Sequence, residues 1–371
     1  MTARFRRTGR NSFWGDCVYD AVVPKSHFLR QLGELLDWDD LTAGLSEYYK
    51  GGAEYGPLPY HPATLLKMLL LAYLYNLSER QTEEFASDSL AARYFLGLAA
   101  NESVPDHSTL SVFRERILTK GGPATFEELF KRVVQVAKAK GIKFGRIQVV
   151  DATHSLADVD VKQDDKHHDG GKPRRDEDAS WGSKGRRKSR TVDGKTVEVN
   201  RSFYGYKSHI SLNAQSEIIT TVLPTTGKLT DGQQFPELVT KDEQLGVEAS
   251  VYAGDKGYDD GDNHELLRDK GKKSALILNR YRTEKKDGNK ELWIKLKADQ
   301  DYQAGKRVRY KVEQKFREGK RSHGWGRCRY LGLKSYAVQT YLTAIVLNLK
   351  RMVRLLLGIS LHGGAVAVTP A

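Results

Sequence analysis

The sequence predicts an α/β fold in the second half of the chain and an all-helical domain in the first half. In positions 21 to 140, apolar residues recur at the spacing of one helix face. From position 145 on, short apolar runs of strand length alternate with helical segments. With 371 residues, the chain is long enough to bury a separate core in each part.

Two helix starts are well marked in the first half. His61-Pro62 places proline in the first turn of a helix that is apolar nearly all round, as expected at the centre of a bundle. Ser78 and Gln81 have the spacing of a capping box for the next helix. Short helices joined by tight turns are typical of helix-turn-helix modules, so we expect positions 21 to 140 to bind DNA or mediate dimerisation. The alternative is a domain whose helices only pack together.

The second half has the element order of a ribonuclease-H-like fold. Three strands are followed by a helix, a strand, a helix, a strand and a last helix. The strands are predicted at 147–150, 206–212, 216–223, 250–253 and 275–278. We therefore expect positions 145 to 335 to form a ribonuclease-H-like α/β catalytic core, in which the first and fourth strands are neighbours.

Two basic insertions are expected within this core. Positions 162 to 203 are rich in lysine and arginine but poor in apolar residues, so they are expected to form a mobile loop. Positions 280 to 305 are also basic and contain Trp293. The remaining predicted segments are a flexible basic arm at 1–20, a C-terminal helix at 336–358 that packs on the core, and a tail at 359–371.

Composition favours a nucleic-acid partner. The net charge is +13, and this excess attracts polyanions. Hydrophobic residues make up 39% of the chain, which excludes a disordered protein. The two cysteines, Cys17 and Cys328, provide no disulfide framework, and no signal peptide or membrane-spanning run is present. We therefore expect a cytoplasmic protein without a membrane partner.

Three acidic residues are candidate ligands for two Mg²⁺ ions. Asp151 follows the first predicted strand and Asp255 the fourth, so their carboxylates should converge at one edge of the sheet. Glu313 lies on a charged helix, and the spacing of Arg309, Glu313 and Lys320 places them on one face. Two hard cations held by carboxylates can stabilise both oxygens of a phosphoryl transfer. As alternatives, the aspartates could form turns and the glutamate could lie on a solvated helix face.

These residues carry a resemblance to DDE transposases of bacterial insertion sequences, in the group named for insertion sequence five. Its core motifs resemble Tyr204-Gly-Tyr-Lys207-Ser-His209, Thr230-Asp231 and Ala253-Gly-Asp255-Lys256-Gly-Tyr258. The segment from Pro24 through Arg114 is similar to the group's helical N-terminal domain. Arg309, Glu313 and Lys320 match the last three residues of the motif Y-x₂-R-x₃-E-x₆-K, whereas Lys306 replaces its tyrosine.

The resemblance implies a transposase that uses two Mg²⁺ ions, with Mn²⁺ able to substitute, held by Asp151, Asp255 and Glu313. Such an enzyme binds the terminal inverted repeats of its element, cleaves DNA there and transfers the freed strand to target DNA. It acts on double-stranded DNA at the nucleoid and pairs two ends as a homodimer. The expected DNA contacts are Arg309, Lys320, Lys207, Lys256 and Trp293. A catalytically silent DNA-binding relative and a metal-dependent nuclease without strand joining are the alternatives.

Overall fold

The computed structural model describes residues 5–6, 13–49, 58–190, 196–279 and 289–361. These residues form two compact units. The helical unit contains the described residues up to Ile142 and those from Leu342 on, and the core unit spans Lys143–Tyr341.

Short helices build the helical unit. Their bounds are α1 Phe13–Val22, α2 Phe28–Leu35, α3 Trp38–Thr42, α4 Pro62–Leu74, α5 Glu79–Asp88, α6 Leu90–Leu96, α7 His107–Lys120 and α8 Gly122–Ala139. Pro62 opens α4, every residue of which is buried, as its apolar sequence predicts. Both bonds of the predicted capping box are present: the Gln81 amide N–H donates to the Ser78 hydroxyl at 3.2 Å, and the Ser78 amide N–H to the Gln81 side chain at 2.9 Å.

The predicted flexible arm at 1–20 is wrong for residues 13 to 20, which belong to α1. Tyr19 is fully buried and packs with Val23 and Tyr94. Its hydroxyl donates to the Leu98 carbonyl at 2.7 Å. The apolar residues of this segment, among them Tyr19, allow it to pack as a helix, whereas the arginines of the predicted arm lie before it at positions 4 to 10. Residues 1–4 and 7–12 lie outside the described residues.

The core unit is built around a mixed sheet. Its strands are β1 Ile147–Leu156, β2 Ser180–Arg190, β3 Thr196–Asn213, β4 Ile219–Thr226, β5 Val251–Gly254 and β6 Lys273–Leu276. β1 pairs with β3 antiparallel and with β5 parallel, while β4 flanks β3 and β6 flanks β5. The order β4-β3-β1-β5-β6 confirms the predicted ribonuclease-H-like fold, to which β2 is added beside the first half of β3.

Seven helices in the described residues accompany the sheet. They are α9 Val161–Asp169, α10 Phe235–Gln244, α11 Gly261–Asp269, α12 Asn289–Ala298, α13 Gln300–Val308, α14 Tyr310–Ser322 and α15 Leu333–Leu357. α15 begins in the core unit, where the Tyr336 ring stacks on that of Tyr206 with centroids 4.7 Å apart; its residues from Leu342 on are grouped with the helical unit. None of the helices in the described part of the chain is long and apolar enough to cross a membrane.

The expectation of a mobile loop at 162–203 is wrong for the described residues, which form α9, β2 and the start of β3. Polar anchors supplement a small apolar cluster that includes Ala179 and Tyr204. Asp176 is buried, and its carboxylate accepts a hydrogen bond from the Tyr206 hydroxyl at 2.5 Å. The Tyr204 hydroxyl donates to the Asp176 carbonyl at 3.0 Å. Counting apolar residues could not detect this kind of packing.

The expected insertion at 280–305 also needs correction at its end. α13 packs on β5 and β6 through Gly305, where an added Cβ would lie only 2.4 Å from the Cβ of Ala275. Residues 300 to 305 therefore belong to the packed core. Residues 280–288 lie outside the part of the chain that the structure describes.

Candidate active site

The register of β1 and β5 brings Asp151 and Asp255 together. The paired residues Ile147 and Val251 differ by 104 in number (251 − 147), and the next two pairs keep that offset. Asp151 and Asp255 have the same offset (255 − 151), so they lie at one level just beyond the last pair of the ladder. Neighbouring parallel strands at the same level direct their side chains to the same face. The predicted convergence of the two strands is thus present.

Asp151 does not end its strand, contrary to the sequence prediction. β1 continues to Leu156 because residues 151 to 156 pair with β3, from Asp151 opposite Ile210 to Leu156 opposite Gly205. On the other side of β1, the ladder to β5 stops at the pair Val149 and Ala253. At Asp151, β1 is therefore still paired with β3 but no longer paired with β5.

Among the described residues, both carboxylates accept few hydrogen bonds. Asp151 accepts from the Ala152 amide N–H at 2.8 Å, and Asp255 from the Gly257 amide N–H at 2.8 Å. Burial, followed by the charge of Asp255, raises the pKa of Asp151 to about 7. Burial also raises the pKa of Asp255. The pair is thus held close in a poorly solvated place, where both negative charges are costly without a counter-charge.

Asp231 is a third acid at this site and was not predicted as a site residue. Its charge contributes to the raised pKa values of both Asp151 and Asp255. The Lys207 ammonium lies 2.9 Å from its carboxylate, and Nδ1 of His209 lies 3.8 Å away. In the sequence, Thr230-Asp231 matches a core motif of the resembled family, but Thr230-Asp231-Gly is also typical of a helix cap, and Asp231 was not singled out. The available signal was the alternation of Lys207 and His209 on β3, two polar residues on one side of a strand.

Two buried polar groups near these acids lack a hydrogen-bond partner among the described residues. They are the Tyr258 hydroxyl and Nδ1 of His209. The pKa of Tyr258 is raised well above its ordinary value by burial and then by the charges of Asp151, Asp231 and Asp255. Unsatisfied donors beside carboxylates indicate a site with hydrogen-bonding capacity in reserve.

α14 carries Glu313 to the edge of this site. Val312 and Phe316 are buried on its inner side, and α14 contacts β1. Glu313 itself is 49% exposed, and its carboxylate lies 2.9 Å from the Arg309 guanidinium. The charges of Arg309 and Glu313 both act on the pKa of Asp255. The third predicted acid is therefore a neighbour of the pair, but it is bound to arginine.

The predicted DNA contacts differ in their availability. The Lys207 ammonium is engaged by Asp231 and by the Leu229 carbonyl, at 2.8 Å from the latter. Lys256 is exposed directly after Asp255. Lys320 is half-buried near Asp151, and burial followed by the charge of Lys184 lowers its pKa to about 8. Trp293 lies in α12, but its side chain is outside the described part of the structure.

The acidic residues fit a divalent cation in their chemistry. Asp151 and Asp255 keep carboxylate oxygens free, and hard cations prefer such ligands. Burial and the charge of Asp255 raise the pKa of Asp151, so a bound cation would stabilise its ionised form. Within the described ranges, however, no three acidic, histidine or cysteine side chains are grouped closely enough to hold a metal ion. A three-carboxylate set that includes Glu313 would require its carboxylate, now paired with Arg309, to move closer to the two aspartates.

Comparison with known proteins identifies two matching family models. Residues 17–116 match a transposase domain (DUF772), and residues 143–349 match the transposase DDE domain. Two solved structures are also similar over 79% of this chain, the Mos1 mariner paired-end complex with Mn and the Mos1 transposase paired-end complex with the left transposon end. Identities are 11% and 9%, covering 87% and 86% of those chains, with a TM-score of 0.21 for each. At that TM-score neither likeness bears on the fold or the site.

Proposed function

This chain belongs to the DDE transposase family of insertion sequences, and we propose that it cleaves the ends of its element and transfers the freed strands to target DNA. The observation that carries the proposal is the pair Asp151 and Asp255, level with each other on neighbouring parallel strands and each with a single backbone donor. The sequence motifs of the chain favour the group named for insertion sequence five, although Lys306 stands where the motif of that group has a tyrosine.

We propose that Asp151, Asp255 and Glu313 hold two divalent cations, Mg²⁺ with Mn²⁺ as a substitute. When bound, these cations supply nucleophile activation and leaving-group stabilisation for phosphoryl transfer. Glu313 would then exchange Arg309 for a cation. That exchange frees the guanidinium of Arg309 to bind a phosphate in a bidentate manner. Lys320, beside Asp151, would neutralise a second phosphate oxygen.

We infer that the helical part, predicted at positions 21 to 140, binds the terminal inverted repeats. The match of residues 17–116 to a transposase domain and the net charge of +13 support this role. Since two element ends must be held together, a homodimer on double-stranded DNA is the expected active form, at the nucleoid in the cytoplasm. The core predicted at 145–335 would cleave and transfer the DNA ends that the helical part binds.

Strand cleavage in vitro tests the catalytic assignment. Purified protein is mixed with a labelled duplex that carries the native element end, in Mg²⁺ or Mn²⁺. Asp151→Ala, Asp255→Ala and Glu313→Ala are each expected to abolish cleavage and to keep duplex binding. Asp262→Ala, which removes an exposed acid from the first turn of α11, is the matched control and should cleave normally. Retained cleavage in one of the three variants would remove that residue from the catalytic set.

Metal binding can be measured without DNA or turnover. Mn²⁺ or Mg²⁺ should raise the thermal unfolding temperature of the wild-type protein, because a ligand that binds only the folded state stabilises it. The rise should disappear in Asp151→Ala and persist in Asp262→Ala. An equal rise in both variants would contradict a metal site at Asp151.

One observation favours a second candidate function. The ion pair between Glu313 and Arg309 satisfies the glutamate without a metal, as expected in a DNA-binding relative that has lost catalysis. Sequence-specific binding of the element end with no cleavage in either metal would support that reading. Cleavage products that never join a target would instead indicate a nuclease.

A further inference from the structure

A group of cations lies beside Asp151 and includes residues of the β2–β3 hairpin. Lys184 lies on β2, and Arg201 lies on β3. The pairing of the two strands shifts between Ser183 and Arg186, so Lys184 occupies a bulge opposite the segment that contains Arg201. The positive φ of Gly185, 77°, accommodates this bulge. An irregular strand thus brings a lysine of β2 next to an arginine of β3.

The electrostatic couplings indicate that these cations are close to Lys320 and to one another. The pKa of Lys184 is lowered by burial and then by the charge of Arg201. The pKa of Lys320 is lowered by burial and then by the charge of Lys184. Burial lowers the pKa of His154 to about 4, with the charges of Lys320, Lys184 and Arg201 acting in the same direction. His154 is therefore a neutral group among the three charges.

Aromatic contacts hold part of this group in place. The Lys184 ammonium lies 5.6 Å from the centroid of the Phe203 ring, and the His154 ring lies 4.8 Å from the same ring. A cation over an aromatic face is attracted to it, which limits the positions that a lysine head adopts. Lys184 is thus oriented by β3 rather than extended into solvent.

These cations have little anionic compensation in the described part of the chain, where the charge of Asp151 acts on Lys320. No ion pair with a carboxylate is present there for Lys184, Arg201 or Lys320. Elsewhere in the same insertion, Arg174 is paired with both Asp164 and Asp165. Asp151 offsets part of the positive charge of Lys320. Because Lys184 and Arg201 have no carboxylate in ion-pair contact among the described residues, an anion from outside the chain would balance their charge.

We propose that Lys184, Arg201 and Lys320 form a subsite for a backbone phosphate of the DNA strand next to the phosphate that is cut. The inference rests on the proposed function and gives the β2–β3 hairpin a role within it. In this proposal the hairpin holds the DNA strand close to Asp151, at the end of the sheet where β1 extends past β5. Arg201 is exposed and Lys184 is half-buried, so a phosphate can reach both.

The salt dependence of DNA binding tests this subsite. Affinity for the duplex with the native element end is measured without Mg²⁺ over a series of salt concentrations. The double variant Lys184→Gln, Arg201→Gln should lower the slope of log affinity against log salt by about 1, the contribution of one lost phosphate contact. Lys162→Gln, Lys172→Gln removes the same charge from exposed positions of the same insertion and should leave the slope nearly unchanged. Equal slopes for the two double variants would overturn the inference.

Neutral backbone substitutions locate the phosphate. Single uncharged methylphosphonates are introduced on either side of the cut, one duplex at a time. The wild-type protein should lose affinity when a phosphate adjacent to the cut is neutralised, and the Lys184→Gln, Arg201→Gln variant should show no further loss there. Identical loss in both proteins at every position would also overturn the subsite.

Folding and the parent proposal are controlled separately. Lys184→Arg, Arg201→Lys keeps both charges and should keep the wild-type slope, while thermal unfolding checks that the glutamine variant is folded. If the wild-type protein binds the element end but does not cut it in Mg²⁺ or Mn²⁺, the proposed catalysis fails and the slope comparison still decides the subsite. If it cuts and the glutamine variant keeps the wild-type slope, only the subsite fails.

Discussion

Asp242 is a buried carboxylate and Asp151 a half-buried one, they lie at opposite faces of the same sheet, and their surroundings differ sharply. Asp242, on α10, is fully buried. Its carboxylate accepts hydrogen bonds from five side chains: the hydroxyls of Ser211, Thr220, Thr221 and Tyr252 and the amide of Gln148. Among the described residues, Asp151 accepts one, from the backbone amide of Ala152. The two residues Gln148 and Asp151 lie three positions apart on β1, so alternation directs them to opposite faces.

The comparison distinguishes a structural carboxylate from one available for chemistry. Burial raises the pKa of both groups, so the direction of the shift does not separate them. The number of hydrogen-bond donors around each carboxylate does separate them. Asp242 is saturated by the protein, which ties α10 to β1, β3, β4 and β5. Asp151 has unused acceptor capacity and neighbouring acids, which is the arrangement of a site completed by a ligand.

The largest expected effect concerns activity at the open carboxylate. Asp151→Asn should reduce strand cleavage by about 10³-fold or more, since a group that acts directly in the reaction is lost. The folded protein should be no less stable, because removing one charge relieves repulsion with Asp255. Cleavage assays together with thermal unfolding measure the two quantities. Lost stability in Asp151→Asn would break the comparison, because Asp151 would then be structural.

The next effect concerns stability at the saturated carboxylate. Asp242→Asn turns one acceptor oxygen into a donor that faces other donors, and should cost about 2–4 kcal/mol of unfolding free energy. Denaturant unfolding measures the loss. Glu237→Gln, at an exposed position of the same helix, should change stability by less than about 0.5 kcal/mol. Equal effects of the two substitutions would contradict the structural role of Asp242.

A smaller effect concerns Lys320, the cation near Asp151, and the pH dependence of DNA affinity. Because the pKa of Lys320 is lowered to about 8, its positive charge is present below that pH and is lost as pH rises through it. DNA affinity should fall above about pH 8, with the salt slope lower by about 1. Lys320→Arg should abolish this pH dependence, since arginine stays charged. A fall of equal size in Lys320→Arg would assign the dependence to another group.

The smallest effect concerns Glu313. Glu313→Gln removes its ion pair with Arg309, but the glutamate is 49% exposed, so solvent screens the pair. We expect a change in unfolding free energy below about 0.5 kcal/mol, measured by denaturant titration, alongside loss of cleavage. A cost of several times that size would show that Glu313 stabilises the position of α14. Glu313 would then be a structural carboxylate, like Asp242.

The predictions from sequence succeeded where local chemistry decides the structure. The helix starts at Pro62 and Ser78 follow from backbone groups that need partners within a few residues. The order of strands in the core also followed from the pattern of apolar runs, and it is confirmed. These signals are short in range, so a single sequence contains them in full.

The failures have a different cause. The extension of β1 to Leu156 depends on a partner strand more than forty positions away, and pairing of that kind leaves no local signature. The described residues of segment 162–203 are anchored through the hydrogen bonds of Asp176 with Tyr204 and Tyr206, which composition does not reveal. Asp231 was overlooked as a site residue because its local context is that of an ordinary helix cap.

The sequence alone therefore determined the fold class, the positive charge and the acids that could serve the site. Only the tertiary structure decided which carboxylates keep unused hydrogen-bond acceptor capacity. Asp151 and Asp255 become neighbours through a strand offset of 104, and Asp242 is saturated by side chains from four strands. The Glu313–Arg309 pair and the cations of the β2–β3 hairpin are positioned by packing in the same way. The reason is physical: charge and periodicity are properties of residues, whereas solvation and hydrogen-bond saturation are properties of the neighbours that folding supplies.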